Sequence, residues 1–277
     1  MFKKYAKQRC NKNKSYNFKL VTVYSLLVLL LVILFLNILA HPKIVYHEEF
    51  LSKYNDYTGR GVSIAIIDSG ISEKYANDVN KNINFSTSNN PYDENGHGTN
   101  MFRIIHDQEI GIARNAKIYI LKTADKNCNS KISNVVDAVN WCTQNDVQII
   151  SMSLSTSKNE SELHKALIQA HKNGVHIFVS VANDSCFQSY PASYDEVIGV
   201  YSWRKKDSYK NFDYVYCPVN EFCVDKKHKE VISGNSPATA FVAGLTSHFL
   251  EESNKKKKKM RKEDITKKLQ LYLRTAD

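Results

Sequence analysis

The sequence predicts an α/β domain with a mainly parallel central sheet, and three features lead there. Apolar runs recur at 62–67, 118–121, 147–154, 175–181 and 197–201. They are short and mostly apolar, as strands buried on both faces are. Between them, apolar residues return every three or four positions, the period of an amphipathic helix. Asp68 and Asn183 stand at or just beyond the ends of two runs, the edge where open α/β sheets hold their chemistry.

The elements follow in chain order. Residues 1–19 carry Lys3, Lys4, Lys7, Arg9, Lys12, Lys14 and Lys19 and no acid. Residues 20–40 are then uncharged, with Asn37 the one strongly polar side chain. As a helix they would span about 31 Å, against a hydrocarbon core of about 30 Å. A transmembrane anchor is expected, with its basic flank in the cytoplasm and the rest of the chain outside. A cleaved signal peptide is the alternative. Its apolar core is typically about 7–15 residues and ends in small residues, whereas this run is longer and has Ile38 two before Ala40.

Residues 41–54 read as a tether, and Asn55-Asp56-Tyr57-Thr58-Gly59 as a loop into the first strand of a domain covering 55–250. Within it, Ile132, Val135, Val136, Val139 and Cys142 recur at helical spacing. Leu163, Ala166, Leu167 and Ala170 do the same, in a helix closing at Asn173-Gly174. Residues 251–277 form a basic tail, in which Leu269, Leu271 and Leu273 make no strong amphipathic face; it is left helical or loose.

The chemistry is concentrated in three stretches. Gly234-Asn235-Ser236-Pro237-Ala238-Thr239-Ala240 leads into the apolar run 241–245. Proline suits the start of a helix, which places Ser236 at a helix N-terminus. Free backbone N–H groups and the macrodipole favour negative charge there, as a nucleophilic serine beside an oxyanion requires. A plain N-cap serine is the rival reading. Asp68 closes the first apolar run before Ser69-Gly70, and His97 lies between Gly96 and Gly98, where no bulky neighbour blocks its ring. Singly these are a turn aspartate and a loop histidine. Together with Ser236 they give Asp, His, Ser, the chain order of the subtilisin form of the triad.

On these motifs the sequence resembles the subtilisin-like serine peptidase family (peptidase S8), over roughly residues 55 to 250. The segment 111–118 looks like the one that follows the histidine helix in that family. The resemblance implies a three-layer domain in which Asp68, His97 and Ser236 are catalytic. It implies that the Asn183 side chain serves the oxyanion, and that Ser153, Leu154 and Ser155 line the substrate cleft. Some residues depart from the family pattern. Ala182 replaces a glycine, Asn100-Met101-Phe102-Arg103 are larger than usual, and Ala240 stands where a proline is usual. Family members often bind structural calcium, but no ligand cluster is specific enough to assign, and no cofactor is expected. The stretch 41–67 is too short for the folded inhibitory propeptide of secreted members.

Of six cysteines, Cys10 is expected inside and five outside; Cys217 and Cys223, six apart across Pro218, are the best local pair for a disulfide. No Cys/His spacing suggests zinc, and no cysteine sits in a glycine-framed turn fit for a nucleophile. The net charge of +10 is concentrated at the two ends, with Lys255 to Lys259, Arg261 and Lys262 forming the second block. Solvated helix-end bases are the plain reading of that block, and attraction to anionic lipid or wall polymer the functional one. Aromatics are not interleaved with the lysines, which argues against nucleic acid.

The expected protein is a membrane-anchored serine endopeptidase facing outside and making limited cuts in exported peptides or proteins. Its partners are a peptide or protein substrate and, through 20–40, the lipid bilayer. A catalytically weak or inactive peptide-binding protein on the same fold is the alternative.

Overall fold

The computed structural model describes residues 23–32, 56–183, 189–202, 214–219 and 221–274. The chain divides into two units, Met1–Ile44 and Val45–Asp277. In the first, 23–32 are helical and every residue is exposed. The rest of the expected 20–40 span, and the tether at 41–54, lie outside the described residues. Among those described, no helix is long and apolar enough to cross a membrane.

In the second unit seven strands form one sheet: β1 (Ser63–Asp68), β2 (Lys81–Asn84), β3 (Lys117–Lys122), β4 (Ile149–Met152), β5 (His176–Ser180), β6 (Val197–Ser202) and β7 (Val215–Cys217). Their order is β2-β3-β1-β4-β5-β6-β7, and every neighbouring pair is parallel. The five apolar runs became β1 and β3 to β6. The edge strands β2 and β7 escaped that reading because one is Lys-Asn-Ile-Asn and the other only three residues long. Two further strands, β8 (Phe222–Asp225) and β9 (Glu230–Ile232), pair antiparallel outside the main sheet.

Among the described residues a 3₁₀ helix (Glu73–Asp78) and five α-helices complete this unit: α1 (His97–His106), α2 (Ile132–Gln144), α3 (Ser161–Lys172), α4 (Asn235–Lys255) and α5 (Lys262–Arg274). Alternation along β1 assigns them to layers, because successive side chains of a strand face opposite ways. Ile64 and Ile66 join residues of α1, α4 and α5 in one core, while Ala65 and Ile67 join α2 and α3 in another. The sheet is therefore covered on both faces. Its strand order turns back at β1, with β3 on one side and β4 on the other. Ligands of open α/β sheets bind where the order reverses, beyond the carboxyl ends of the strands.

Of the two alternatives for the segment beyond 250 the helical one holds, and the expectation that it makes no strong amphipathic face is corrected. α5 buries Ile265, Leu269 and Leu273 in the core at a strict four-residue interval, while Leu271 faces water. The stripe was hidden because its first member is Ile265, and Leu271 falls off it. The expected Cys217–Cys223 disulfide is also corrected: the Cys217 thiol is free and buried, directed to the Val219 carbonyl at 3.9 Å. Cys217 points into the core from the main sheet. Cys223 lies on β8 between the buried Phe222 and Val224, so its side chain leaves the opposite face of that strand.

Candidate active site

Asp68 ends β1, and its backbone carbonyl accepts the N–H groups of Thr123 (2.9 Å) and Ala124 (3.2 Å) just past β3. Those bonds fix where the carboxylate emerges from the sheet. Its Oδ1 accepts the Ser69 N–H at 2.8 Å and lies 2.7 Å from His97 Nδ1. The Asp68 side chain is 4% exposed and the imidazole 31%, so the acid is shielded from water while the ring reaches the surface. Burial disfavours the imidazolium. The charge and hydrogen bond of Asp68, with Asp93 behind, outweigh it and hold His97 above the ordinary histidine pKa. With Nδ1–H donated to the carboxylate, Nε2 is the basic nitrogen.

The third stretch begins α4. Its N-cap is Gly234, in a positive-φ conformation, and the first helical bond runs from Ala238 N–H to the Gly234 carbonyl. Ser236, half-buried, is thus in the first turn, where backbone N–H groups have no helical acceptor. Asn235, beside it, is buried and ties strand ends together. Its Oδ1 accepts the Ser202 N–H (2.8 Å) and its Nδ2 donates to the Val181 carbonyl (2.8 Å). The Asn235 N–H donates to Asn183 Oδ1 at 3.3 Å, which brings the Asn183 amide to the residue preceding Ser236. Among the described residues no hydrogen bond joins Ser236 to His97.

Residues 59–276 match the Subtilase family. The chain belongs to that family.

Among its relatives is the minor extracellular protease Epr of Bacillus subtilis (strain 168), 31% identical over 163 residues, which are 56% of this chain and 25% of the relative. Subtilisin DY of Bacillus licheniformis is 30% identical over 157 residues, 52% of this chain and 57% of that one. The thermostable alkaline protease of Halalkalibacterium halodurans is 28% identical over 207 residues, 68% and 56% of the two chains. The matched part of this subtilase thus spans from a quarter to rather over half the length of these relatives. A solved cold adapted subtilisin-like serine proteinase shares the fold, with a TM-score of 0.63 at 24% identity over 78% of this chain and 83% of that one.

The loop that carries His97 is organised by a residue the sequence reading passed over. Asp93 Oδ1 accepts the Asn95 and Gly96 N–H groups and the Ser69 hydroxyl, each at 2.9 Å. Its Oδ2 accepts the Thr99 N–H (2.9 Å) and hydroxyl (2.5 Å). Ser69 Oγ accepts the Gly98 N–H in turn (2.9 Å), so one network joins the Asp68 turn to the first turn of α1. Burial opposes the Asp93 charge, but the bonds from Thr99, Gly96 and Asn95 keep its carboxyl below the ordinary value. Lys122, fully buried at the end of β3, braces the same loop by donating to the Tyr92 carbonyl (2.6 Å) and Glu94 Oε2 (3.1 Å). The signal for Asp93 was present in Asp93-Glu94-Asn95-Gly96, an aspartate opening a turn. For Lys122 and Asn235 there was none.

Ser153, Leu154 and Ser155 continue β4 beyond its last paired residue, Met152, and none of the three is buried. No described strand pairs with them. They lead to a two-residue bridge in which Thr156 and Tyr190 exchange N–H···O bonds of 2.7 and 2.9 Å. Cys128 feels the charges of Asp68 and Asp93 from the neighbouring loop. Burial and those carboxylates push its thiol up to about 11, so it is not a thiolate at neutral pH. Among the described residues no group of three or more His, Cys, Asp or Glu is placed to hold a metal ion, and no residue is assigned to calcium.

Proposed function

We propose that this subtilase is a serine endopeptidase working through Asp68, His97 and Ser236. Ser236 Oγ attacks the scissile carbonyl and passes its proton to His97 Nε2, which returns it to the leaving amine. Asp68 orients the ring and stabilises its imidazolium. The Asn183 side chain and the Ser236 N–H receive the oxyanion, one such donor typically contributing ~10²–10³ in rate. Ser153, Leu154 and Ser155 offer unpaired backbone to an extended substrate, which joins the cleft edge as a strand. The observation that carries this reading is the 2.7 Å bond between His97 Nδ1 and Asp68 at the switch point of the sheet. The separation of Ser236 from His97 is compatible with it, because catalytic hydrogen bonds often tighten only in the Michaelis complex.

The cellular reading goes further. The basic 1–19 segment and the uncharged 20–40 run support an anchor in the membrane with the peptidase outside. A relative named as an extracellular protease supports the same side. An anchored peptidase suits limited processing of exported peptides or proteins. A fluorophosphonate probe tests the chemistry: it is expected to label the purified protein at Ser236 and to fail with Ser236→Ala. Undiminished labelling or cleavage by Ser236→Ala would overturn the mechanism. Protease added to intact cells tests the location, since a domain protected until the membrane is broken would place it inside.

A further inference from the structure

The basic block after α4 does not simply fray into solvent. It closes a cavity of about 210 Å³ against the end of α3 and the start of β5. His176 opens β5, so this hollow lies at the sheet edge opposite the one where Asp68 and Asn183 emerge. Its wall includes His171 and Lys172 from α3, Lys259 and Arg261 from the α4–α5 connection, and Lys262 and Glu263 from the first turn of α5. Glu263 is the one acid among them.

Three independent features make this more than a solvated charge run. Lys172 and Lys259 have no carboxylate partner among the described residues, and the Lys262 ammonium donates to the neutral Asp195 carbonyl. Arg261 pairs with Asp264 at 3.4 Å, the only ion pair the wall makes among the described residues. The second feature is the N-terminus of α5. Asp264 caps the Arg261 N–H at 3.1 Å, and Ile265 is the first residue whose N–H reaches back along the helix, to the Arg261 carbonyl. The N–H groups of Lys262, Glu263 and Asp264 therefore have no helical acceptor, and the positive end of the helix borders the cavity. The third feature is His176, 8% exposed, which lines the hollow and whose ring makes no hydrogen bond among the described residues. Burial, with the charges of His171 and Lys259, pushes it down to about 4, so it is neutral at pH 7.

We propose that this cavity binds a phosphate-sized oxyanion, held by Lys259, Arg261 and the first-turn N–H groups of α5, with His176 at its side. Charged and backbone donors of this kind form the strong class of hydrogen bond to phosphate. The anion supplies the negative charge that Lys172 and Lys259 lack and opposes the charges of His171 and Lys259, which add to burial in keeping His176 neutral. A soluble phosphate and a lipid headgroup share this chemistry.

The test titrates inorganic phosphate into the purified full chain at constant ionic strength, following the His176 ring protons by NMR. A saturable response with a Kd of about 1 mM or tighter is expected, together with a rise in the His176 protonation midpoint. Both effects are expected to vanish in Lys259→Gln/Arg261→Gln, whose altered side chains are exposed and leave the core untouched. Phosphate is also expected to raise the Tm of the unaltered protein more than that of the variant. Phosphatidylglycerol vesicles separate the sources. Weaker vesicle binding by the variant assigns the pocket to a headgroup, and equal binding assigns it to free phosphate. A response to inorganic phosphate that never saturates, or that survives in the variant, overturns the proposal.

Discussion

Gly98 lies so close to Gly70 that a Cβ on residue 98 would stand 2.4 Å from the Gly70 carbonyl oxygen and 3.2 Å from the Asp68 Cβ. Backbone atoms cannot swing aside as a flexible side chain can. Any larger residue at 98 must therefore move the start of α1 away from the end of β1, and His97 moves with it. Gly98→Ala is expected to cost about 1–3 kcal/mol of stability, as overpacking does, and about 10²-fold in kcat, because small misplacements of catalytic groups are that costly. Denaturant unfolding and steady-state kinetics measure the two. An alanine variant with unaltered kcat would show that the close approach does not position His97.

Asp93 is the second lever on the same histidine, acting at a distance from the chemistry. Asp93→Ala leaves five donors without their acceptor, among them the N–H groups of Asn95, Gly96 and Thr99. Each buried group so orphaned costs about 1–3 kcal/mol, although water reaches the exposed part of the loop and lowers the sum. Asp93→Asn keeps an acceptor oxygen and is expected to fold. If Asp93 positions the ring, Asp93→Asn lowers kcat with little change in KM and shifts the acid limb of the rate profile downward, since its charge also supports the imidazolium. A variant that loses stability and keeps both kcat and the pH profile would reduce Asp93 to a structural residue.

How much of this was legible follows from what each residue type advertises. The five interior strands could be read because burial on both faces favours near-continuous apolar runs. The edge strands could not, since Lys81–Asn84 and Val215–Cys217 owe their state to a neighbour's hydrogen bonds rather than to their own composition. Asp68 and His97 were marked by the turns that hold them. The glycine after His97 has a second role that the sequence does not advertise: it permits contact with Gly70, a residue 28 positions away, and only the fold brings the two together. Asn235 and Lys122 look ordinary in sequence because their partners, Val181, Ser202, Tyr92 and Glu94, are distant along the chain.

The His97 environment makes a pH prediction with a definite sign. As general base the ring must be neutral, so activity is expected to fall as pH drops through its pKa, which lies above the ordinary value of 6.5. Asp68→Asn removes the carboxylate that raises it. The acid limb is then expected to move below its original midpoint, with kcat reduced by about 10⁴-fold as in triads losing this residue. A profile of kcat/KM against pH for both proteins decides. An acid limb unmoved by Asp68→Asn would mean that some other group controls it.

Stability is expected to fall in mild acid, well before the carboxylates protonate. His176 is held neutral in the fold, its pKa pushed down from 6.5 to about 4 by burial and by His171 and Lys259. Between those values the unfolded chain binds a proton that the folded one refuses, so stability declines as pH drops through this window and levels off below it. For His176 alone that gap is worth about 3 kcal/mol. His106 and His248, buried and lowered for the same reason, add to the decline; each ring is committed to a backbone carbonyl, of Ala113 and Ile112 respectively. His97 works the other way, since its raised pKa contributes most below 6.5 and loses that contribution as pH rises through the folded value. The His176 shift, from 6.5 to about 4, sets the sign, and a net loss in acid is expected. Asp93, lowered in the fold, withdraws its own contribution only further down, as pH falls from 3.8 through its folded value. Urea unfolding at pH 7 and pH 4.5 in phosphate-free buffer measures the difference, and His176→Gln, which carries no titrating ring, is expected to narrow it by about 3 kcal/mol at most. A pH 7 to pH 4.5 difference that is the same in His176→Gln as in the unaltered protein would show that His176 is solvated and free to take its proton.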